Sequence, residues 1–267
     1  MCQVSAPANT TLEPTSAAAA LAAQGQRRWA ASVVDMRHAI DIAFDFRSDT
    51  PEGRDPDAAS PTLRRYHKLL WSKILPNGAS FDLSDSRTGC YLYHRSVVGE
   101  FFLASDAVIP SFRKVPQIKA LIPEEEIDAF NTIGYTIGGM MVFPGNKIDG
   151  KMTINGARGF HPLVKDRFDL TLECIRRHYA GEASPLSESL RRYSDFFVLF
   201  ADFRGYVEFF LLQDLVVGNA VQISEPYDNF RSSPVPKDAN EYRGYRDDAV
   251  AFINARNRRI QSATAAA

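Results

Sequence analysis

The rhythm of apolar and polar residues changes several times along this chain, and each rhythm predicts an element. Ile40-Asp-Ile-Ala-Phe-Asp-Phe46 alternates, with Asp41 and Asp45 between apolar positions, and predicts a strand. The Pro-, Gly- and Asp-bearing residues 48–57 predict a loop. Ser60-Pro61 predicts a helix start, Ser as N-cap and Pro in the first turn, and that helix ends before Pro76-Asn-Gly78. Residues 80–83, 90–94 and 100–104 predict three short strands, the last two joined through Ser96-Val-Val-Gly99. Residues 105–131 read as mostly helical, with breaks at Pro110, Pro116 and Pro123. Residues 136–143 read as a buried strand.

Helical spacing dominates the second half. Residues 163–179 place Val164, Phe168, Leu172, Ile175 and Tyr179 on one face, and Asp166, Asp169, Glu173 and Arg176 on the opposite stripe. Arg167 and His178 fall away from that acidic stripe and are expected to meet other elements. Ser184-Pro185 predicts the cap of a next helix, with Leu186, Leu190, Tyr193, Phe197 and Phe200 inward. Gly205 is expected to separate it from a core helix over 206–217 that is apolar on every face. That stretch carries Glu208, Gln213 and Asp214, with Arg204 just before it, and charges on a wholly buried helix need partners. After a Pro-rich loop over 224–237, Asp238 and Glu241 form a capping box for a helix over 239–261. Its inner face holds Tyr242, Tyr245, Ala249, Phe252, Arg256 and Ile260.

Strands come first and helices later, which predicts an α+β fold: a small, mostly antiparallel sheet in the N-terminal half packed against a helical C-terminal half. Residues 1–38 are expected to be a flexible tail and an Ala-rich helix, 39–262 a single globular domain, and 263–267 a disordered tail. Composition adds limits. Of 267 residues, 45% are hydrophobic, and 18 Phe supply material for a large core. The 31 Lys and Arg nearly cancel the 32 Asp and Glu, which argues against general binding to a nucleic-acid backbone but leaves room for a small anionic ligand. Cys2, Cys90 and Cys174 form neither a disulfide framework nor a zinc motif. No apolar run serves as a membrane span or a signal peptide, so a cytoplasmic protein is expected.

Candidate chemistry follows from residue type and place. Asp45, Asp49, Asp55 and Asp57 could gather around a hard cation, but their spacing matches no metal loop and suits turn formers, so no metal is assigned. Neither GxxxxGK(S/T) nor GxGxxG is present, which excludes a classical nucleotide loop and leaves the cofactor unassigned. His94 ends a strand, where an imidazole can act as general acid or base. Asn155-Gly-Ala-Arg-Gly159 suits a tight turn beside a charged group, making Asn155 and Arg158 candidates for ligand contact. Asp214 is a candidate catalytic carboxylate, and the Arg256-Asn-Arg-Arg259 run with Arg243 and Arg246 a candidate basic face.

Four strings, Phe44-Asp-Phe-Arg-Ser-Asp-Thr-Pro51, Ser60-Pro-Thr-Leu-Arg-Arg-Tyr-His-Lys-Leu-Leu-Trp-Ser-Lys73, Asp166-Arg-Phe-Asp-Leu-Thr-Leu-Glu-Cys-Ile-Arg-Arg-His-Tyr179 and Gly205-Tyr-Val-Glu-Phe-Phe-Leu-Leu-Gln-Asp-Leu-Val216, resemble an uncharacterised bacterial domain family over residues 42–262. The resemblance implies a bacterial origin and one domain, and no chemistry. Two functions are therefore expected. One is an interaction or regulatory protein, in a stress or phage-defence setting, that binds a partner through an aromatic-rich surface. The other is an enzyme on a phosphorylated or nucleic-acid substrate, with His94 as acid/base, Arg158 as anion clamp and Asp214 as the carboxylate.

Overall fold

The structure, a computed structural model, describes residues 40–85, 92–96, 98–110 and 116–265. The expected N-terminal tail and Ala-rich helix lie outside the described residues, as do Cys2 and Cys90. The fold is α+β. Four strands, β3 (Ser84–Asp85), β4 (Leu92–Ser96), β5 (Gly99–Ala107) and β6 (Met140–Pro144), form one antiparallel sheet in that order. The pairs β1 (Lys73–Ile74) with β2 (Ser80–Phe81), and β7 (Val216–Val217) with β8 (Ala220–Val221), are two small ribbons beside it. Among the described residues ten helices accompany these strands: α1 (Pro56–Ala59), α2 (Pro61–Trp71), α3 (Pro116–Leu121), α4 (Glu124–Gly134), α5 (Ile154–Phe160), α6 (Phe168–Ala180), α7 (Ser187–Arg192), α8 (Ser194–Val198), α9 (Phe203–Phe209) and α10 (Ala239–Ala265). One cluster of buried apolar side chains runs through both halves, from Phe46 to Ile260.

The β4–β5 register places Ser96 opposite Gly99, as the two-residue connection predicts. Helix α2 begins where expected. Ser60 Oγ caps it by accepting from the Leu63 amide, and Pro61 occupies the first turn. Asp238 caps α10 through the amides of Asn240 and Glu241, while Glu241 reaches back to the Lys237 amide. That helix continues to Ala265, so the expected disordered tail is helical up to that residue.

Four local expectations are corrected. Residues 40–46 form no strand. Asp41 accepts from the Ala43 amide and Asp45 from the Arg47 amide, and these side-chain bonds bend the chain into a 3-10 turn at Phe46–Asp49. Residues 105–107 are not helical, because β6 pairs with β5 as far as Ala107. The strand expected from residue 136 starts at Met140, after a 3-10 turn at Ile137–Gly139. The stretch expected as one core helix over 206–217 is three elements: the end of α9, a 3-10 turn at Gln213–Leu215 and β7. Helix α9 closes with the Leu212 amide on the Val207 carbonyl and Leu211 at φ 57, a Schellman close, and Gly205 lies inside its first turn. A Cβ on Gly205 would sit 2.1 Å from the Phe200 carbonyl oxygen, so this glycine lets α9 approach the end of α8.

The charges that made that stretch unusual are accordingly not sealed in the core. Arg204 and Glu208 pair with each other at the surface, with side chains 80% and 53% exposed. Asp214 pairs with Arg259 of α10. On α6 the expectation fails the other way: Asp169 and Glu173 are buried, and each is held by arginine, Asp169 by Arg167 and Glu173 by Arg176 and Arg177.

Candidate functional site

Two regions gather chemistry, and the first is a buried polar cluster at the end of β5. Its members come from four segments that the sequence does not place together. Arg158, on α5, is wholly buried. Its Nε donates to Thr171 Oγ1 at 3.1 Å, its Nη2 to the Asp166 carbonyl at 2.6 Å, and its Nη1 to Asp106 and the Ala107 carbonyl. Asp166, at φ 66, donates its own amide to the Arg158 carbonyl at 2.9 Å. Burial opposes the charged guanidinium, but Asp166 and Asp106 outweigh it and raise the pKa of Arg158. This arginine is therefore a charged hub with all three nitrogens engaged inside the protein.

Asp57 of α1 adds a second carboxyl to Asp106. Burial first, and then the charges of Asp106 and Asp55, push its pKa well above the usual carboxylate range. Burial and those charges favour the protonated form of Asp57, whose Oδ2 accepts the Ala107 amide and whose Oδ1 is buried without a hydrogen-bond partner. The acidic N-terminal run is consequently divided among local tasks. Asp45 grips Arg47, Asp49 takes the Ser60 hydroxyl and the Thr62 amide, Asp55 caps α1, and Asp57 is half-buried with its Oδ1 sealed from solvent. Among the described residues no group of three or more His, Cys, Asp or Glu is disposed to hold a metal.

His67 and Ser105 meet in the same region at 2.9 Å, which resembles a base and its nucleophile. The tautomer rules that pairing out. Trp71 Nε1 can only donate, and it donates to His67 Nδ1 at 3.0 Å. The ring proton of neutral His67 therefore sits on Nε2 and points at Ser105, so His67 has no lone pair there to accept the serine proton. Burial and the nearby Arg256 charge also lower its pKa to about 3, keeping it neutral. The cavity that Asp57, His67 and Ser105 line is about 10 Å³, room for one water and no substrate.

The expected site residues do not converge. His94 is buried between Phe81, 4.1 Å away between centroids, and Phe101, with Nδ1 on the Asp82 carbonyl and Nε2 without a partner. Burial lowers its pKa. Arg158 lies in the cluster at the end of β5, and Asp214 is at the surface with Arg259, so the three share no partner. Asn155 turns its amide toward the Ser105 carbonyl at 3.4 Å, and the Asn155–Gly159 string is a helix rather than the expected turn. The expected basic face is also divided. Arg243 and Arg246 close on Glu126, Arg259 on Asp214, and Arg256 is wholly buried. Ser105 and Asp106 were missed because their segment reads as helical. The alternation of Phe101, Leu103 and Ser105 was the available signal.

The second region is a cleft of about 480 Å³ between α10, the start of α6 and residues 214–224. Phe168 and Phe252, stacked with centroids 6.2 Å apart, form its apolar wall with Leu215 and Ile223. Arg167 anchors its base by pairing with Asp169 and donating to the carbonyls of Ser224, Pro226 and Pro234. Asp169 in turn accepts the Ser224 amide at 3.1 Å. Asp214 and the exposed Asp248 also line it. Its lining includes no histidine, cysteine or lysine.

A family model matches residues 40–260, from the first described residue to the last turns of α10. The chain belongs to DUF6994, a family of unknown function. No curated protein and no solved structure matches it. In this DUF6994 chain the polar cluster and the cleft both lie inside the matched span. Among its described residues no helix is long and apolar enough to cross a membrane.

Proposed function

We propose that this DUF6994 protein is a ligand-responsive interaction or regulatory protein, and that its cleft between α10 and α6 takes a small amine or guanidinium with an apolar body. The observation that carries this reading is the cleft itself. Its volume, about 480 Å³, is that of a small-molecule site, and it combines a stacked aromatic wall with three carboxylates: Asp169 held by Arg167, Asp214 held by Arg259, and the exposed Asp248. A cation reaching Asp248 would leave its hydrophobic part against Phe168 and Phe252. A phosphorylated ligand would instead meet carboxylates.

The enzyme reading is supported by the Asp57–Asp106 pair, a proton held beside Arg158. Weighing against it is space, since the cavity there is about 10 Å³. A bacterial, cytoplasmic setting remains part of the proposal, and the buried free thiol of Cys174 supports a reducing compartment.

The test is a thermal-shift series with benzamidine, phenethylamine and adenosine monophosphate, since a ligand that binds only the folded state raises its melting temperature. Benzamidine or phenethylamine is expected to raise the melting temperature of the wild type and to lose that effect in Asp248→Lys. A rise with the nucleotide alone would overturn the cleft reading.

A further inference from the structure

Lys73, the first residue of β1, lies between two aromatic rings and close to a second cation. Its Nζ lies 5.0 Å from the centroid of the Trp71 ring and 4.5 Å from that of Phe209. Its hydrogen-bond acceptor is a neutral group, the Phe209 carbonyl. Two carboxylates line the same groove: Glu208 is taken by Arg204, and Asp202 caps α9 by accepting the Gly205 amide. A second cation, Arg256, stands 5.6 Å from the same Trp71 ring. Beside Lys73 opens a groove of about 450 Å³ with apolar side chains from Ile74, Phe200 and Phe209.

We propose that Lys73 is a carbonyl-capturing amine, which forms an imine with a small apolar aldehyde or ketone entering this groove. The nitrogen lone pair attacks the carbonyl carbon, and the oxygen takes up a proton to give a carbinolamine. Water then leaves as the C=N bond forms, so no oxidant or reductant is consumed. The protonated imine keeps one N–H, which can return to the Phe209 carbonyl. The step needs a neutral amine; the two rings attract the ammonium, but burial and the neighbouring Arg256 charge outweigh them. Burial and that charge together lower the Lys73 pKa to about 8. About a quarter of the amine is then neutral at about pH 7.5, roughly 200-fold more than for an ordinary lysine. This site is separate from the cleft and stands or falls without it.

The experiment uses the full chain, propionaldehyde as probe and cyanoborohydride to trap the imine, with each lysine quantified by peptide mass spectrometry across pH. Lys119 and Lys237, both exposed, are internal references. Lys73 is expected to be alkylated at least about 10-fold faster than either at about pH 7.5, with its own rate levelling off above its pKa. Equal or slower labelling of Lys73 overturns the proposal. Lys73→Arg is expected to remove the fast adduct while the references label unchanged. Persistence of the fast adduct elsewhere in that variant would overturn the assignment. Because the wild-type rates decide the matter, a failure of the variant to fold does not affect the result.

Discussion

Two nitrogens of Arg256, Nε and Nη2, donate to the single carbonyl oxygen of Phe210, at 3.2 and 3.1 Å. The third nitrogen, Nη1, donates to the carbonyls of Gly138 and Met140 at 3.0 and 2.8 Å. A guanidinium from the middle of α10 thereby ties together the end of α9, a 3-10 turn and the start of β6. Burial with no carboxylate partner lowers its pKa to about 9, and the charge is stabilised by carbonyl dipoles, the Met141 sulfur and the Trp71 ring. Arg256→Met is expected to destabilise the protein by about 3 kcal/mol, since it strands buried acceptors. Arg256→Lys should lose a large part of that, because a point charge cannot serve several carbonyls in a fork. Urea denaturation checks both, and a change below about 0.5 kcal/mol for Met would contradict the tie.

The next residue extends the same seat. Asn257 accepts the Gly138 amide at 2.7 Å and donates to Thr136 Oγ1 at 2.9 Å. A Cβ on Gly138 would lie 2.5 Å from the Ile253 carbonyl oxygen and 2.6 Å from Asn257 Oδ1. Gly138→Ala is expected to cost about 1–3 kcal/mol by overpacking. Gly244, inside α10 and with nothing within 4 Å of an added Cβ, should behave oppositely. Gly244→Ala is expected to stabilise by about 0.5–1 kcal/mol through helix propensity. Melting temperatures of the two variants should therefore move in opposite directions.

Asp57 makes stability depend on pH in an uncommon direction. Its folded pKa is raised, so the folded state holds a proton that the unfolded state releases. Its contribution is complete below the ordinary carboxylate pKa and is lost as pH rises through the raised value. Asp57→Asn keeps an acceptor for the Ala107 amide and can donate to Asp106. Relative to wild type, this variant should gain stability progressively from about pH 4 upward. A difference that stays flat from acid to neutral pH would mean that Asp57 holds no proton.

His67 acts with the opposite sign. Its folded pKa lies near 3 and its unfolded value near 6.5, so its contribution is complete above the unfolded value and is lost as pH falls toward the folded one. The loss reaches about 2 kcal/mol by pH 5. His67→Gln, which can still donate to Ser105 and accept from Trp71, should show a shallower acid slope than wild type. An imidazole signal for His67 that titrates near neutral pH would contradict the tautomer assigned above.

The caps of α2 and α10 were legible in the sequence because a cap is local: Ser60-Pro61 and Asp238-x-x-Glu241 act on amides within one turn. The antiparallel β4–β5 hairpin and the inner face of α10, Arg256 included, were legible for the same reason, since period and turn length are properties of neighbours along the chain. The α+β class followed from the order of those elements. Partners were not legible. The alternation at 40–46 looked like a strand until two aspartates bonded their own neighbouring amides. The apolar run after Phe203 looked like one buried helix until the chain closed α9 at Leu211 and turned Glu208 outward.

By itself, then, the sequence determined where helices start, which faces are apolar and that charges near the C-terminal helices need company. Only the tertiary structure decided which company: Arg158 with Asp106, Asp57 with Asp106, Arg167 with the 224–234 loop, Arg256 with three carbonyls. The physical reason is that burial and charge pairing depend on separations through space. Segments some fifty or a hundred residues apart, such as Asp57 with Asp106 or Gly138 with Asn257, acquire their chemistry only once the core brings them together.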